Sequence, residues 1–262
     1  MRVTKKILIA FILFCAAAGS FYLFYARPRY AVPVLMYHSI AAGPESTLSV
    51  DPEIFQKQIE YLHKAGFKVI SLDELVERVS RRARPLRKEV VLTFDDGFEN
   101  NFIKAFPVLA RYGMPATVFL ETARVGAKAG YLNWDQVRIM AMNNIDIGSH
   151  TRMGVYLPAV KNEDEFISEI VSSKLDIESR VGKEVKYFCY PTGGFNDRIK
   201  EIVRGAGYKG ACATNRGFDK SNFDLYEIKR IKVTDSDMTK PLHFQAKLSG
   251  YYNLFRKGKS PD

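Results

Sequence analysis

The residues of this chain whose types and spacing suggest chemistry are few. They are the adjacent carboxylates Asp95 and Asp96, the imidazoles His38 and His150, and the Pro191-Thr192 pair. Paired carboxylates can divide proton transfer from cation binding, and an imidazole can serve either task. Each group stands at the end of a short apolar run. His38 closes residues 32–38, Asp95 and Asp96 follow 89–94, His150 follows 145–149, and Pro191 and Thr192 follow 187–190. In α/β architectures, sites form where strands hand over to loops at their carboxyl ends, so these positions converge on one rim. Taken singly, Asp95-Asp96-Gly97 also reads as a helix cap and turn, and His150 as a buried, hydrogen-bonded histidine.

The elements that must position these groups alternate along the chain. Strands are expected at 32–38, 68–72, 89–94, 116–120, 145–149, 187–190, 210–214 and 226–233. Helices are expected at 54–65, 73–80, 102–112, 134–142, 165–181 and 198–206, with Asp51 before Pro52 as a cap and Gly113, Gly182 and Gly207 as stops. A basic linker, 81–88, holds Pro85. This order predicts an α/β fold of mainly parallel strands with outer helices. It fits a closed barrel and an open doubly wound sheet alike.

Four ordered segments carry a resemblance. Thr93-Phe94-Asp95-Asp96-Gly97, Ser149-His150-Thr151, Phe188-Cys189-Tyr190-Pro191-Thr192-Gly193, and residues 225–233 around Arg230-Ile231 resemble the motifs of the polysaccharide deacetylases, the NodB-homology group of carbohydrate esterases. Val34-Leu35-Met36-Tyr37-His38 resembles the branch that contains the poly-N-acetylglucosamine deacetylases. The resemblance spans roughly residues 32–235. It implies a distorted (β/α) barrel of about seven strands and a divalent metal, zinc or else cobalt or nickel. By the same resemblance, Asp96 and His150 are metal ligands, Asp95 is the general base, and His38 protonates the leaving amine. The Thr192 N–H stabilises the oxyanion, because Pro191 has no N–H to offer, and Arg230 orients Asp95. Trp134, Tyr190 and Pro191 are the expected substrate contacts. Cys189 and Cys212 read as small buried hydrophobes.

One position departs from the pattern. The family carries a second histidine four residues after the first, and here the run is His150-Thr151-Arg152-Met153-Gly154-Val155-Tyr156-Leu157. Leu157 keeps the frame, but Gly154 has no side chain with which to bind metal. Either the site binds metal weakly or borrows a ligand, or the protein is a glycan-binding relative without turnover. Arg152 would repel a cation if it pointed inward.

The ends of the chain are different in kind. Residues 7–26 are twenty consecutive residues without a charge, enough as a helix to span about 30 Å of hydrocarbon. Arg2, Lys5 and Lys6 precede them. The apolar run continues through Phe21–Tyr25, past the small residues Ala16–Ser20, which favours an uncleaved signal anchor over a cleaved signal peptide and places the body outside the cytoplasm. The expected organisation is an anchor at 1–30, a deacetylase domain at 31–238 and a basic, aromatic tail at 239–262, docked on the barrel or lying on the membrane. The formal charge of +10 resides almost wholly in the two ends, with only +1 on residues 31–239. That distribution points to a membrane and not to nucleic acid. Three scattered cysteines exclude a disulfide scaffold. The expected function is a membrane-anchored, metal-dependent N-deacetylase of an envelope or extracellular polysaccharide rich in acetylated amino sugar. Ester deacetylation by the same machinery is the enzymatic rival.

Overall fold

The computed structural model describes residues 2–43, 48–240 and 242–260. Seven parallel strands form its centre: β1 (Val34–Tyr37), β2 (Glu89–Phe94), β3 (Ala116–Leu120), β4 (Ile145–Ser149), β5 (Tyr187–Cys189), β6 (Gly210–Ala213) and β7, which is split into Ile228–Lys229 and Ile231–Lys232 by Arg230. Neighbours pair in that order. The split in β7 closes the ring: Ile228 pairs with Cys212 of β6, and Ile231 pairs with Leu35 of β1. The choice left open by periodicity is thereby settled in favour of the barrel. The expected strand 226–233 is shorter and broken at Arg230, and the expected strand 68–72 shrinks to Lys68–Val69, an outrigger on Glu89–Val90.

Helices surround the ring: α2 (Pro52–Lys64), α3 (Leu72–Ser80), α4 (Phe106–Arg111), α5 (Trp134–Met142), α6 (residues 163–181) and α7 (Asp197–Gly205), after an N-terminal helix α1 (Arg2–Ser20). Their starts are set by side-chain caps that satisfy otherwise orphaned N–H groups. Asp51 accepts from Glu53 N, Ser71 from Glu74 N and Asn196 from Ile199 N, and Asn133 and Gln136 form a reciprocal capping box on α5. Gly182, at φ +72°, stops α6.

Strand residues alternate between two apolar layers. Leu35, Tyr37, Leu92, Phe94, Val118, Leu120 and Phe188 pack outward against the helices. Val34, Val91, Phe119, Tyr187, Cys189, Cys212 and Ile228 form the inner layer, which Leu72, Leu75 and Val76 of α3 join. Gly148 makes room for the inner ring of Phe119, whose Cδ1 lies 2.4 Å from where a Cβ would stand. The inward parity (34, 36, 38; 91, 93, 95; 117, 119, 121; 146, 148, 150; 187, 189; 228, 230) carries straight to the carboxyl ends of the strands. There it presents His38, Asp95, Glu121, His150, Cys189 and Arg230.

The ends of the chain separate in character. The helix from Lys6 to Arg29 is long and apolar enough to cross a membrane, and its Ile7, Leu8, Phe11, Phe14 and Phe24 are exposed. It fits a single-pass anchor or a signal sequence. The tail docks on the barrel. Phe244 is buried against Tyr61, Lys247 pairs with Asp237, and the Arg256 guanidinium donates to the Arg230 carbonyl.

Candidate active site

Arg230 is the organising group. It sits at the break in β7 with its guanidinium fully buried. Nη1 donates to Asp95 Oδ1 at 2.6 Å and to Thr93 Oγ1 at 3.1 Å. Nη2 donates to Asp95 Oδ2 at 2.7 Å and contacts Cys189 Sγ at 3.0 Å, and Nε donates to the Ala213 carbonyl at 3.1 Å. All five guanidinium donors have partners, the condition under which a buried charge is tolerated. The bidentate clamp holds the Asp95 carboxyl well below the usual carboxylate range. Burial is the largest single influence and pushes the other way, but the charge and hydrogen bonds of Arg230 together with the two imidazoles outweigh it.

His38 faces the same carboxylate, its Nε2 lying 3.7 Å from Asp95 Oδ2, while the Asn101 side chain donates to its carbonyl. Burial lowers its pKa below the ordinary 6.5, with Asp95 and Asp96 opposing. The ring is therefore neutral at neutral pH.

On the other side of Asp95 lie Asp96 and His150. Asp96, at φ +70°, turns its side chain back over the barrel mouth, where it remains partly open to solvent. His150 is buried. Its Nδ1 lies 2.8 Å from the Cys189 carbonyl, which can only accept, so Nδ1 carries the proton and Nε2 presents a lone pair. That Nε2 stands 3.5 Å from Asp96 Oδ1. Glu121, directly after β3, joins them. Its pKa is raised by burial and by the charge of Asp96. Its Oε2 accepts no aligned hydrogen bond among the described residues, although Arg124 Nε lies 2.6 Å away as an ion partner.

This donor set, two carboxylates (Asp96 and the under-satisfied Glu121) and the His150 imidazole nitrogen, has the chemistry of a divalent-cation site. Among the described residues, the trio whose donor atoms all lie within 4.8 Å of one another is a different one, Asp95, His150 and Cys189. It suits a cation poorly. Both Asp95 oxygens are engaged by Arg230, whose charge already occupies that space, and burial pushes the Cys189 thiol up so that it stays neutral.

The turn after β5 holds Thr192 at the barrel mouth. Thr192 sits at φ +53°, and the next two N–H groups bond within the turn, Gly193 to the Tyr190 carbonyl and Gly194 to that of Pro191. The Thr192 N–H makes no backbone bond among the described residues.

The expected substrate contacts are corrected. Tyr190 is fully buried, stacked on Phe195 with its hydroxyl donating to the Tyr226 carbonyl, and Pro191 is buried in the turn. Both shape the loop instead of lining a cleft. Trp134 is half-buried beside Gly126, with the Arg180 guanidinium 4.8 Å over one face of its ring. Arg152 points away from the site toward Asp176 and Ser168. Cys189, read from the sequence as a plain hydrophobe, in fact touches both Arg230 and Asp95. Glu121 was missed, although its place directly after a barrel strand is the signal that picked out the others.

Comparison with known proteins bears on the same residues. Residues 82–211 match the polysaccharide deacetylase family model. The chain is 30% identical over 203 residues to YxkH of Bacillus subtilis, a protein named as a polysaccharide deacetylase, covering 78% of this chain and 71% of that one. It is 27% identical over 233 residues to the poly-β-1,6-N-acetyl-D-glucosamine N-deacetylase of Staphylococcus epidermidis, covering 80% and 78%. The structure of the Streptococcus pyogenes deacetylase PplD, solved in complex with acetate, aligns with a TM-score of 0.75 at 26% identity, over 83% of this chain and 97% of that one. Sequence and barrel thus agree, and this chain belongs to the polysaccharide deacetylases, hydrolases that act on N-acetyl groups.

Proposed function

We propose that the protein is a metal-dependent N-deacetylase of an acetylated amino-sugar polysaccharide, with residues 1–30 as its membrane anchor, residues 31–238 as its catalytic domain outside the cytoplasm and residues 239–262 as a docked tail. One observation carries the reading: a carboxylate clamped by a buried arginine, with an imidazole on one side and a cation-type donor set on the other. Asp96 and His150 would hold a divalent cation, which would supply polarisation of the acetamide carbonyl and acidification of water.

The remaining steps fall to the chain. Asp95, anionic at neutral pH, takes a proton from the attacking water as the new carbon–oxygen bond forms. Arg230 fixes its direction and keeps it ionised. The Thr192 N–H donates to the developing oxyanion. His38, neutral at rest and 3.7 Å from Asp95, relays that proton to the amine nitrogen as the carbon–nitrogen bond breaks. Acetic acid and a free amine leave, and Asp95 is again ionised; the acid loses its remaining proton to water. A related deacetylase was solved with acetate bound, and a relative is named for poly-β-1,6-N-acetyl-D-glucosamine, which supports that polymer class as substrate.

The test is acetate release by the full chain in detergent. It compares N-acetylglucosamine oligomers with O-acetylated xylo-oligosaccharides, before and after chelation and reloading with zinc or cobalt. The reading predicts release from the N-acetylated series alone, lost on chelation, restored by metal and absent in Asp95→Asn. Gly154 favours a second reading, a glycan-binding relative without turnover, which predicts oligomer binding with no acetate.

A further inference from the structure

The residue at the expected second histidine position is Gly154, at φ +73°. A Cβ built there meets Glu121 Oε1 at 1.8 Å, Cδ at 2.6 Å and Oε2 at 3.3 Å. The volume that any side chain at 154 would enter is therefore already filled by a carboxylate. That carboxylate comes from a different strand. The loop after β3 runs beside the loop after β4, tied by His150 N to the Leu120 carbonyl (2.8 Å), Thr122 N to the Thr151 carbonyl (3.2 Å) and Ala123 N to the Arg152 carbonyl (3.0 Å). Glu121 is thus registered against the 150–154 loop by backbone bonds. The loop is held in turn by the buried Glu169 carboxylate, which accepts from Arg152 N and Met153 N.

The Glu121 side chain is only 7% exposed, next to a second carboxylate and an imidazole. Arg124 holds Oε2, and Oε1 faces the space above Gly154. A ligand carboxylate oriented through its second oxygen is a recurrent feature of metal sites. Arg124 balances one of the two neighbouring carboxylates, and a bound cation would balance the other.

We infer that Glu121 is the third protein ligand for the divalent cation, standing in the place that the imidazole at position 154 would otherwise fill. The inference rests on the metal-dependent reading above. Together with Asp96 and His150 it gives a two-carboxylate, one-imidazole set. It also makes Gly154 a requirement of the site and not a loss: the glycine leaves room for the carboxylate.

The test uses the full chain in detergent, stripped with a chelator and titrated with Zn²⁺ by calorimetry and with Co²⁺ by visible absorption. The wild type is expected to bind one equivalent. Asp96→Asn, a control for the location of the site, and the isosteric Glu121→Gln are each expected to weaken binding by roughly 100-fold. Glu121→Gln should also alter the Co²⁺ spectrum while leaving the far-UV circular dichroism unchanged. Gly154→His alone is expected to bind no better than wild type, because its Cβ collides with Glu121. Glu121→Ala/Gly154→His is expected to bind at least tenfold more tightly than Glu121→Ala. Wild-type affinity and an unchanged Co²⁺ spectrum in Glu121→Gln would overturn the assignment of Glu121 while leaving metal dependence intact. A wild-type chain that binds no metal would overturn the metal-dependent reading itself.

Discussion

Replacing Arg230 by methionine isolates the strongest interaction in the site. The substitution removes the two Arg230 hydrogen bonds to the Asp95 carboxylate at 2.6 and 2.7 Å and leaves a buried charge whose remaining neighbours are the Cys189 thiol and the neutral His38 ring. The protein can keep that charge unpaired or protonate it. Protonating a carboxyl of ordinary pKa 3.8 at pH 7 costs about 4 kcal/mol. That figure agrees with the roughly 3–5 kcal/mol expected on breaking a buried ion pair from one side. In thermal unfolding this corresponds to a fall of roughly 8–16 °C.

The pH dependence separates this cause from a simple packing defect. In the wild type, Asp95 has a depressed pKa, so its contribution is present above pH 3.8 and is lost as the pH falls through the folded-state value. In Arg230→Met the folded-state pKa rises above 3.8, so the penalty fades as the pH falls toward 4. The gap between the two proteins must therefore narrow on acidification. The double variant Arg230→Met/Asp95→Asn should recover most of the loss at pH 7. Unfolding curves at pH 7 and pH 4.5 provide the measurement. A loss under about 1 kcal/mol at pH 7, or a gap that stays constant with pH, refutes the reasoning.

Other consequences can be checked in parallel. His38 is buried neutral with a lowered pKa, so the unfolded chain takes up its proton first. Stability from this group is full above pH 6.5 and lost below it, by at most about 1.4 kcal/mol per pH unit. Melting curves between pH 7.5 and 5 should fall more steeply for wild type than for His38→Gln, and parallel curves would count against the buried neutral ring. Phe244→Ala should destabilise the barrel by about 3–5 kcal/mol, because the tail is packed against Tyr61; an unchanged urea midpoint would detach the tail from the fold. Cys189 and Cys212 are buried with raised pKa values, so both should resist maleimide until denaturant is added, as peptide mass mapping would show.

Much of this architecture was legible in the residues, and the gaps have physical causes. The cap Asp51 and the stop Gly182 obey local chemistry, which spacing reveals. Barrel closure depends on one strand pairing with two partners on either side of Arg230, a long-range event with no local signature. Asp95, Asp96 and His150 could be recognised because they end strands. Glu121 ends a strand as well, but no motif drew attention to it. Its role emerges only when the 121–124 and 150–154 loops are seen side by side, with the glycine of one facing the carboxylate of the other. Tyr190 and Pro191 adjoin the site in sequence, yet strand parity and the turn at Thr192 bury them.

The central claim is hydrolysis of an N-acetyl group by this barrel, and isotope labelling tests it most directly. The metal-loaded full chain is incubated with an N-acetylglucosamine oligomer in ¹⁸O-water, and acetate and free amine are quantified by mass spectrometry. The account predicts equal amounts of the two products, one ¹⁸O atom in each acetate, and neither product from Asp95→Asn. Acetate without matching amine, acetate without the label, or no turnover by the metal-loaded wild type would contradict it.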